Sequence, residues 1–267
     1  DRLSISYWRC NSLRRYIMIG LGAGSSPVIS DIANQTFYTF DGTDQEITLA
    51  SGVATSIINA VTDEGIEFSL SAWFKIDTVS ASRVLFKLFL NGNSDNQILI
   101  IYHASSNEMR FSTKFAGVND LIQQGTNSIE GDNNWHHIVC TCSSEDNTTE
   151  MWIDGSKIGS VVGVGTPDVE FDTVAICSNG AGGAFWDGSV DSLAIYTRQL
   201  QDTEIAKIYN AGAGGLDLVS AAHVNTTGLV VLHRFEEKSG SVCINDVGLK
   251  SAYVNAPTVV QHNGAFS

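Results

Sequence analysis

The sequence predicts an all-β fold with one short helix. Charged residues make up 16% of the 267 residues, below the roughly 25% of an average domain, while 25 glycines suit the many turns of an all-β protein. Apolar and polar residues alternate with period two in several segments, as in strands that bury one face. One segment has the apolar spacing of a helix. A hydrophobic content of 43% is enough to bury a sizeable core.

The alternation is clearest in residues 67–77, EFSLSAWFKID. One face of this predicted strand is apolar, and the other carries Trp73 among polar residues. Residues 108–115, EMRFSTKF, repeat the pattern. Both segments are therefore predicted to be half-buried strands.

Two hairpins are predicted from strands that flank turn residues. Residues 83–90 and 97–104 are rich in apolar side chains and are separated by NGNSDN, which indicates an inner hairpin. Residues 151–163 form the second hairpin, because Asp154 and Gly155 suit the positive dihedral angles of a tight turn.

The predicted helix lies within residues 199–215. Apolar residues recur there at helical spacing, acidic residues fall in the first turn, and Gly212 supplies a stop. The apolar positions are Ile205, Ile208 and Tyr209, and the acidic ones are Asp202 and Glu204.

Charge separates a basic arm from an acidic body. The net charge is −14, and residues 1–17 hold four arginines and one aspartate, a net charge of +3, which leaves −17 for residues 18–267. An acidic body repels phosphate backbones, so we expect no nucleic-acid binding. We predict an N-terminal arm at residues 1–30, a main domain at 31–215 and a C-terminal extension of strands at 216–267 packed on the same domain.

The sequence gives no indication of a membrane span or a disulfide scaffold. No apolar run approaches the roughly 18 residues that a spanning helix needs. The longest, YIMIGLGAG at residues 16–24, follows two arginines, yet its retention in the chain argues against a cleaved signal peptide. The five cysteines lack the paired spacing of a disulfide framework, so free thiols are expected.

Residues 136–142, HHIVCTC, raise the question of a metal site or a redox pair. In a regular strand His136, Cys140 and Cys142 share one face, but His136 and Cys140 lie about 13 Å apart along it. Zinc ligands must lie within about 2.3 Å of one ion. The cysteines, about 7 Å apart with parallel side chains, also have poor disulfide geometry. We expect both cysteines to be small apolar core residues.

Several segments together resemble the laminin G-like, concanavalin A-like jelly-roll family. Their order and spacing fit the family over residues 36–212. The resemblance implies a jelly-roll sandwich of two antiparallel sheets, one of them concave, which agrees with the alternating strands. The segments are FYTFDGTDQEITL (37–49), FSLSAWFKID (68–77), NNWHHIVCTC (133–142), MWIDGSKIG (151–159) and FWDGSVDSLAIYTRQLQDTEIAKIYNAG (185–212).

The resemblance leaves function open, because this fold hosts glycosidases, lectins, adhesion modules and spacers. The laminarinase-type hydrolases of the fold carry an E-x-D-x-E strand, since retaining hydrolysis needs carboxylates about 5–5.5 Å apart. This sequence has no such run, and Asp187 and Asp191 lie about 13 Å apart in a strand. It also has no G-x-S-x-G, H-E-x-x-H or Gly-rich phosphate loop. We expect no catalysis.

The resemblance also implies a structural calcium ion between the first strand and a late strand. The matching positions here are Asp41 and Gly42 in FDG and Asp191 in SVDSL. Calcium takes six to eight oxygen ligands, including backbone carbonyls. The alternative is that Asp41 serves a turn before Gly42 and that Asp191 makes a surface hydrogen bond.

Carbohydrate binding needs aromatic platforms near polar groups. Trp73 and Trp152 lie opposite the apolar rows of their strands, which makes them candidates for exposed stacking surfaces in ligand binding. The alternative is that both indoles pack under a loop or against the facing sheet.

Two functions from different classes remain. In the first, the protein is a non-catalytic structural or attachment component that displays its jelly roll on a larger assembly through residues 1–30. The free cysteines and the basic, Gly-rich arm suit assembly in a reducing cytoplasm, and the combination is similar to bacteriophage virion proteins such as head decorations or fibres. Its partners would be other virion or surface-assembly proteins, bound through the N-terminal arm, and further copies of itself in a homo-oligomer. In the second, it is a calcium-dependent carbohydrate-binding module of a surface or secreted protein.

Overall fold

A computed structural model gives the fold, and most of its strands belong to two large antiparallel sheets. The prediction of an antiparallel sandwich is therefore confirmed. In the predicted arm, the structure describes only β1 (Ile17–Met18) and β2 (Ile29–Ser30), which pair with each other; the rest of that prediction lies outside the described residues. The structure describes residues 17–18, 29–30, 36–49, 51–62, 65–77, 79–123, 129–211, 225–234, 242–243, 251–254 and 258–261.

The first sheet has nine strands in the order β13-β12-β11-β6-β15-β3-β19, with β16 beside β15 and β5 beside β6. Its long strand β6 spans 12 residues and pairs with β11 on one side and β15 on the other. The strands are β3 (Thr36–Asp41), β5 (Val61–Thr62), β6 (Gly65–Ile76), β11 (His136–Ser143), β12 (Thr148–Ile153), β13 (Ser156–Val162), β15 (Asp187–Tyr196), β16 (Leu229–His233) and β19 (Thr258–Gln261).

The second sheet has eight strands in the order β10-β9-β8-β7-β14-β4-β18-β17. Both predicted hairpins are present, β7 with β8 here and β12 with β13 in the other sheet, and Asp154 and Gly155 have φ angles of 50° and 72° as their turn requires. The strands are β4 (Glu46–Thr48), β7 (Arg83–Phe89), β8 (Gln97–His103), β9 (Glu108–Phe115), β10 (Val118–Gln123), β14 (Thr173–Ile176), β17 (Val242–Cys243) and β18 (Ser251–Val254).

The facing sides of the two sheets form the main core. Period-two alternation sends Phe68, Leu70 and Phe74 of β6 inward, where all three are fully buried. Phe68 stacks on Phe86 of the other sheet with ring centroids 5.2 Å apart. Burying an aromatic or leucine side chain of this kind contributes about 1.5–3 kcal/mol, so these rows hold the sheets together.

Two helices accompany the sheets in the described part of the chain. The predicted helix is confirmed as α2 (Asp202–Ala211), and the predicted stop at Gly212 lies outside the described residues. The expectation of a single helix is wrong, because α1 (Ser51–Asn59) packs into the core through Val53 and Ile57. No helix among the described residues is long and apolar enough to cross a membrane.

Strands beyond residue 215 join both sheets. β16 pairs with β15 and β19 with β3 in the nine-stranded sheet, while β18 pairs with β4 in the eight-stranded sheet. The boundary between residues 215 and 216 stays a prediction.

Candidate functional site

The two cysteines of β11 lie in the main core. Cys140 and Cys142 are fully buried free thiols, and burial raises the pKa of each. In the part of the chain that the structure describes, no group of three or more His, Cys, Asp or Glu side chains could hold a metal ion. The cysteines act as core residues, as the strand geometry predicts.

His136, at the start of β11, is held between two carboxylates. Its Nδ1 lies 2.7 Å from Asp154 Oδ2 and its Nε2 lies 3.0 Å from Asp132 Oδ2. Both ring nitrogens can donate only in the imidazolium form, so the geometry favours a charged ring. Burial opposes the charge, but the hydrogen bonds and charges of Asp154 and Asp132 outweigh it and raise the pKa of His136. This clamp ties the loop before β11 to the β12–β13 turn.

A serine–histidine pair that the sequence analysis missed lies on the outer side of the same sheet. Ser71 Oγ is 2.9 Å from His137 Nε2, a distance that would suit nucleophilic catalysis if a substrate could reach it. Both residues are buried, and burial lowers the pKa of His137 to about 3. Tyr209 stacks on the imidazole with ring centroids 6.0 Å apart, and the Trp73 ring lies tilted against it with centroids 5.0 Å apart. The pair is a packing contact beneath α2.

The outer side of the nine-stranded sheet lies under α2, and we call it the helix-covered face. Ile205 and Ile208 of α2 are buried against it. This packing forms a second apolar cluster apart from the main core. The sheet contributes Val139, Trp152, Ala194, Tyr196 and Leu232 to that cluster.

The structure places Trp73 and Trp152 on the helix-covered face. Their exposed fractions are 7% and 9%, so the expectation of exposed indoles is wrong. Tyr209 stacks on Trp73 with ring centroids 5.8 Å apart, and Lys157 Nζ lies 4.7 Å from the Trp152 ring centroid. A ligand-binding role for either indole stays a prediction, and it would require α2 or Lys157 to move.

Asp41 and Gly42 meet Asp187, not Asp191, in the fold. Asp41 pairs with Asp187 across β3 and β15, and Arg83 contacts this site with Nη2 3.1 Å from Asp187 Oδ2 and Nη1 3.2 Å from the Gly42 carbonyl oxygen. The guanidinium is thus hydrogen-bonded to two oxygens, the Gly42 carbonyl and Asp187 Oδ2, that a bound cation would need as ligands. Asp41 Oδ1 accepts a hydrogen bond from the Thr43 amide at 2.9 Å, which is the turn role stated as the alternative.

Asp191 lies four residues further along β15, about 13 Å from Asp187 at strand spacing. Its side chain is fully buried, and Oδ1 accepts a hydrogen bond from the Ser192 amide at 2.7 Å. Ser192 has a φ of 48°, at a bulge where β15 shifts register against β6. The three predicted calcium ligands therefore do not converge, and the oxygens around Asp41 do not fit a calcium site as they stand.

The outer side of the eight-stranded sheet carries cations, and we call it the cationic face, defined by Lys87, Arg110 and Lys114. Each is half-buried. The strand register arranges the residues of this face in rows. One row is Ala175, Lys87, Leu99, Ser112 and Leu121, the next is Thr173, Phe89, Gln97, Lys114 and Asn119, and a third contains Ile101, Arg110 and Gln123.

Two of these cations have carboxylate partners. Arg110 Nε donates to Glu108 Oε1 at 2.7 Å, and Lys114 Nζ lies 2.8 Å from Asp95 Oδ1. Lys87 differs, because its ammonium lies 4.1 Å from the ring centroid of its neighbour Phe89 and pairs with no carboxylate among the described residues.

A glycine-rich loop, residues 178–183, borders the cationic face beside Lys87. A Cβ atom on Gly180 would come within 2.8 Å of the Phe89 ring and 3.1 Å of Ala175, so the loop backbone packs directly on these side chains. Asn179 Oδ1 holds the loop by accepting hydrogen bonds from the amides of Ala181 and Gly183 at 2.8 and 3.0 Å. The loop therefore packs on the sheet at the β14 side of Lys87, against Phe89 and Ala175.

The sequence pattern indicates only part of the cationic face. Alternation assigns Arg110 and Lys114 to the polar side of their strand. Strand order and register, which decide that Lys87 lies in the same surface, depend on pairings that one sequence does not reveal.

Comparison with known proteins agrees with this fold. The family described as the concanavalin A-like lectin/glucanases superfamily matches residues 41–206. No curated protein sequence matches the chain significantly.

Solved structures from several organisms share the architecture. A Bacteroides ovatus protein with a proposed carbohydrate-binding role has a TM-score of 0.61 at 11% identity, covering 95% of this chain and 70% of its own. The CBM40 module of the Ruminococcus gnavus IT-sialidase, bound to α2,3-sialyllactose, has a TM-score of 0.52 at 12% identity, covering 66% and 99%. A heptameric SAP-like pentraxin from Limulus polyphemus has a TM-score of 0.53 at 14% identity, covering 86% and 96%.

Proposed function

The chain belongs to the concanavalin A-like lectin/glucanases superfamily, and we propose that it is a non-catalytic carbohydrate-binding module. Two neighbours in fold, the B. ovatus protein and the CBM40 module, are described as carbohydrate-binding. Likeness at 11–12% identity extends to the fold alone, so the proposal rests on the surface chemistry of this chain.

The observation that carries the proposal is the difference in cover between the two outer faces. α2 buries the helix-covered face, while α1 packs into the core and not onto the cationic face. Gln97, Asn119 and Gln123 are half-buried or exposed on the cationic face. Amide side chains both donate and accept hydrogen bonds, as sugar hydroxyls do. A flat ligand lying across several strands can therefore be bound there.

An apolar floor complements these polar groups. Leu99 and Ile101 of β8 are half-buried on the same face. In place of the aromatic platforms expected from the sequence, these aliphatic side chains would be covered by the carbon-bound hydrogens of a sugar ring, which removes apolar surface from water. Binding sites commonly combine such a floor with a few polar groups that fix orientation.

The same face does not suit glycoside hydrolysis. Hydrolysis needs two carboxyl groups on opposite sides of one bond, and the carboxylate of Glu108 is already paired with Arg110. The only other carboxylate on the outer side of the described strands of this sheet is Glu46, whose side chain accepts a short hydrogen bond from Ser178. Binding without catalysis is the function that these contacts support.

A glycan microarray probed with the full chain tests the proposal. We expect selective glycan binding, and we expect the double variant Gln97→Ala/Asn119→Ala to lose at least about tenfold in affinity, as removal of two ligand hydrogen bonds would produce. Thr148→Ala, on the nine-stranded sheet, is the matched control and should bind as wild type does.

The competing location is tested with the same array. If binding survives the double variant but disappears in folded Trp73→Ala or Trp152→Ala, the ligand lies on the helix-covered face and the location proposed here is wrong. If the wild-type chain binds no glycan at all, the proposed function is wrong.

Calcium dependence stays a prediction. It would need the Gly42 carbonyl and the Asp187 carboxylate to release Arg83, or another set of oxygens. Titration of the chain with calcium in a calorimeter, followed by glycan binding in calcium and in chelator, decides it. A heat of binding that Asp41→Asn removes would support the predicted site.

A structural role in an assembly, a bacteriophage virion above all, is the second candidate. The basic, Gly-rich sequence of residues 1–30 favours it, and the pentraxin of similar fold is a heptamer. Homo-oligomerisation and a location in a virion, or alternatively outside the cell or at its surface, are proposals. Sedimentation velocity of the full chain, and imaging of the native particle or cell, test them.

A further inference from the structure

The cationic face places three positive side chains around a small patch in a protein whose net charge is −14. Lys114 and Arg110 lie on either side of Ser112 along β9, and Lys87 lies two strands away in the row of Ser112. At ordinary strand spacing the Cα atoms of Arg110 and Lys114 each lie about 12 Å from that of Lys87. Leu99 lies at the centre of this triangle.

The three cations differ in how their charges are balanced. Glu108 and Asp95 pair with Arg110 and Lys114. Lys87 has no carboxylate partner among the described residues, and its neighbours in the row are the apolar side chains of Ala175 and Leu99. Contact with the Phe89 ring compensates for part of its lost hydration.

Burial of an unpaired ammonium opposes its charged form, and burial lowers the pKa of Lys87. Charged groups that leave water are ordinarily paired. An anionic group on a bound ligand would provide the missing partner with a charge-assisted hydrogen bond. The loop at residues 178–183 packs on Phe89 and Ala175 on the β14 side of Lys87, and half-buried Leu99 lies on the other side in the same row.

We infer that the ligand of the cationic face is an acidic glycan, and that one of its carboxylate or sulfate groups pairs with the Lys87 ammonium. This inference rests on the proposed function. Arg110 and Lys114, on the far side of Leu99, are balanced by Glu108 and Asp95, and they offer further hydrogen-bond donors where the ligand continues across β9. Lys87, whose charge no described carboxylate balances, thus favours an anionic ligand over a neutral one.

The test compares three polysaccharides of known charge. Hyaluronan carries carboxylates only, dextran sulfate carries sulfates only, and dextran is neutral. Affinity electrophoresis or calorimetry would measure their binding to the wild-type chain and to Lys87→Gln. We expect at least one charged polymer to bind, and we expect Lys87→Gln to weaken that binding roughly tenfold or more, as loss of a charge-assisted contact does. The polymer affected identifies the anionic group.

Lys157→Gln provides the matched control, because Lys157 lies on the nine-stranded sheet, 2.8 Å from Glu150 Oε1. It should leave binding unchanged. Thermal unfolding separates lost binding from lost structure, since Lys87→Gln removes an unpaired, partly desolvated charge and should unfold at no lower temperature than wild type.

The outcomes separate this inference from the proposed function. Equal affinity of Lys87→Gln and wild type for a charged polymer, or preference for dextran over both charged polymers, would overturn the role of Lys87 and leave glycan binding intact. Absence of binding to all three polymers and to the glycan microarray would overturn the proposed function as well.

Discussion

The outer faces of the two sheets differ in what lies on them. On the nine-stranded sheet, α2 packs over Trp73 and Trp152 and makes a second apolar cluster. On the eight-stranded sheet, half-buried apolar residues such as Leu99 lie beside cations and amides. The outward-facing tryptophans of the nine-stranded sheet are therefore covered by a helix, and we propose the mixed apolar and charged surface of the eight-stranded sheet as the ligand site.

The largest effect is expected from breaking the cover of the nine-stranded sheet. Ile205 is fully buried between α2 and the sheet, so Ile205→Ala should lower the free energy of unfolding by about 2–5 kcal/mol. Urea denaturation measures it. Lys207→Ala, on the exposed side of α2, is the control and should change stability by less than about 0.5 kcal/mol. A loss of the same size in both variants would show that α2 does not bury this face.

The corresponding substitution on the cationic face, Leu99→Ala, should cost less stability than Ile205→Ala. Leu99 is only half-buried, so Leu99→Ala should lower the free energy of unfolding by about 1 kcal/mol, because its side chain buries less apolar surface than that of Ile205. Urea denaturation of Leu99→Ala and Ile205→Ala measures the difference between their free energies of unfolding. A cost as large as that of Ile205→Ala would mean that another part of the chain covers Leu99.

The smallest effect is expected from His136, whose carboxylate partners are partly exposed and therefore screened. Its pKa is raised in the folded chain, so its contribution is complete below the pKa of the unfolded state and is lost as pH rises through the folded value. His136→Gln should destabilise the protein more at pH 5 than at pH 8. Buried His137 has a pKa lowered to about 3, so it has the opposite effect and destabilises the folded chain as pH falls. Because wild type and His136→Gln both contain His137, its effect cancels in their difference.

Urea denaturation of wild type and His136→Gln across this pH range isolates the clamp. Asp132→Asn, which removes one of the two carboxylates, should show a smaller pH-dependent difference of the same sign. A stability difference between wild type and His136→Gln that is independent of pH would contradict a charged ring at this position.

The sequence predicts what depends on local pattern. Alternation is sufficient to place Phe68 and Phe74 inward, and the Asp154–Gly155 turn follows from its two residues. α1 was missed because only Val53 and Ile57 mark its buried side and its β-branched residues have low helix propensity.

The remaining errors concern contacts between distant segments. Trp73 lies on the outer side of β6 as alternation requires, but whether that side meets water depends on where α2 docks. The separation of Asp41 from Asp191 depends on the register of β15 against β3, in which Asp187 takes the position opposite Asp41. The cationic face likewise arises from the register in which β7, β8 and β9 pair.

The most direct test of the account is a titration of isotope-labelled full chain, followed by NMR amide shifts, with the strongest ligand of the glycan microarray. The account predicts shifts concentrated in β7, β8 and β9 around Lys87, Leu99 and Arg110, with little change in α2 and β12. Shifts centred on α2 and the strands beneath it, with the cationic face unaffected, would contradict it.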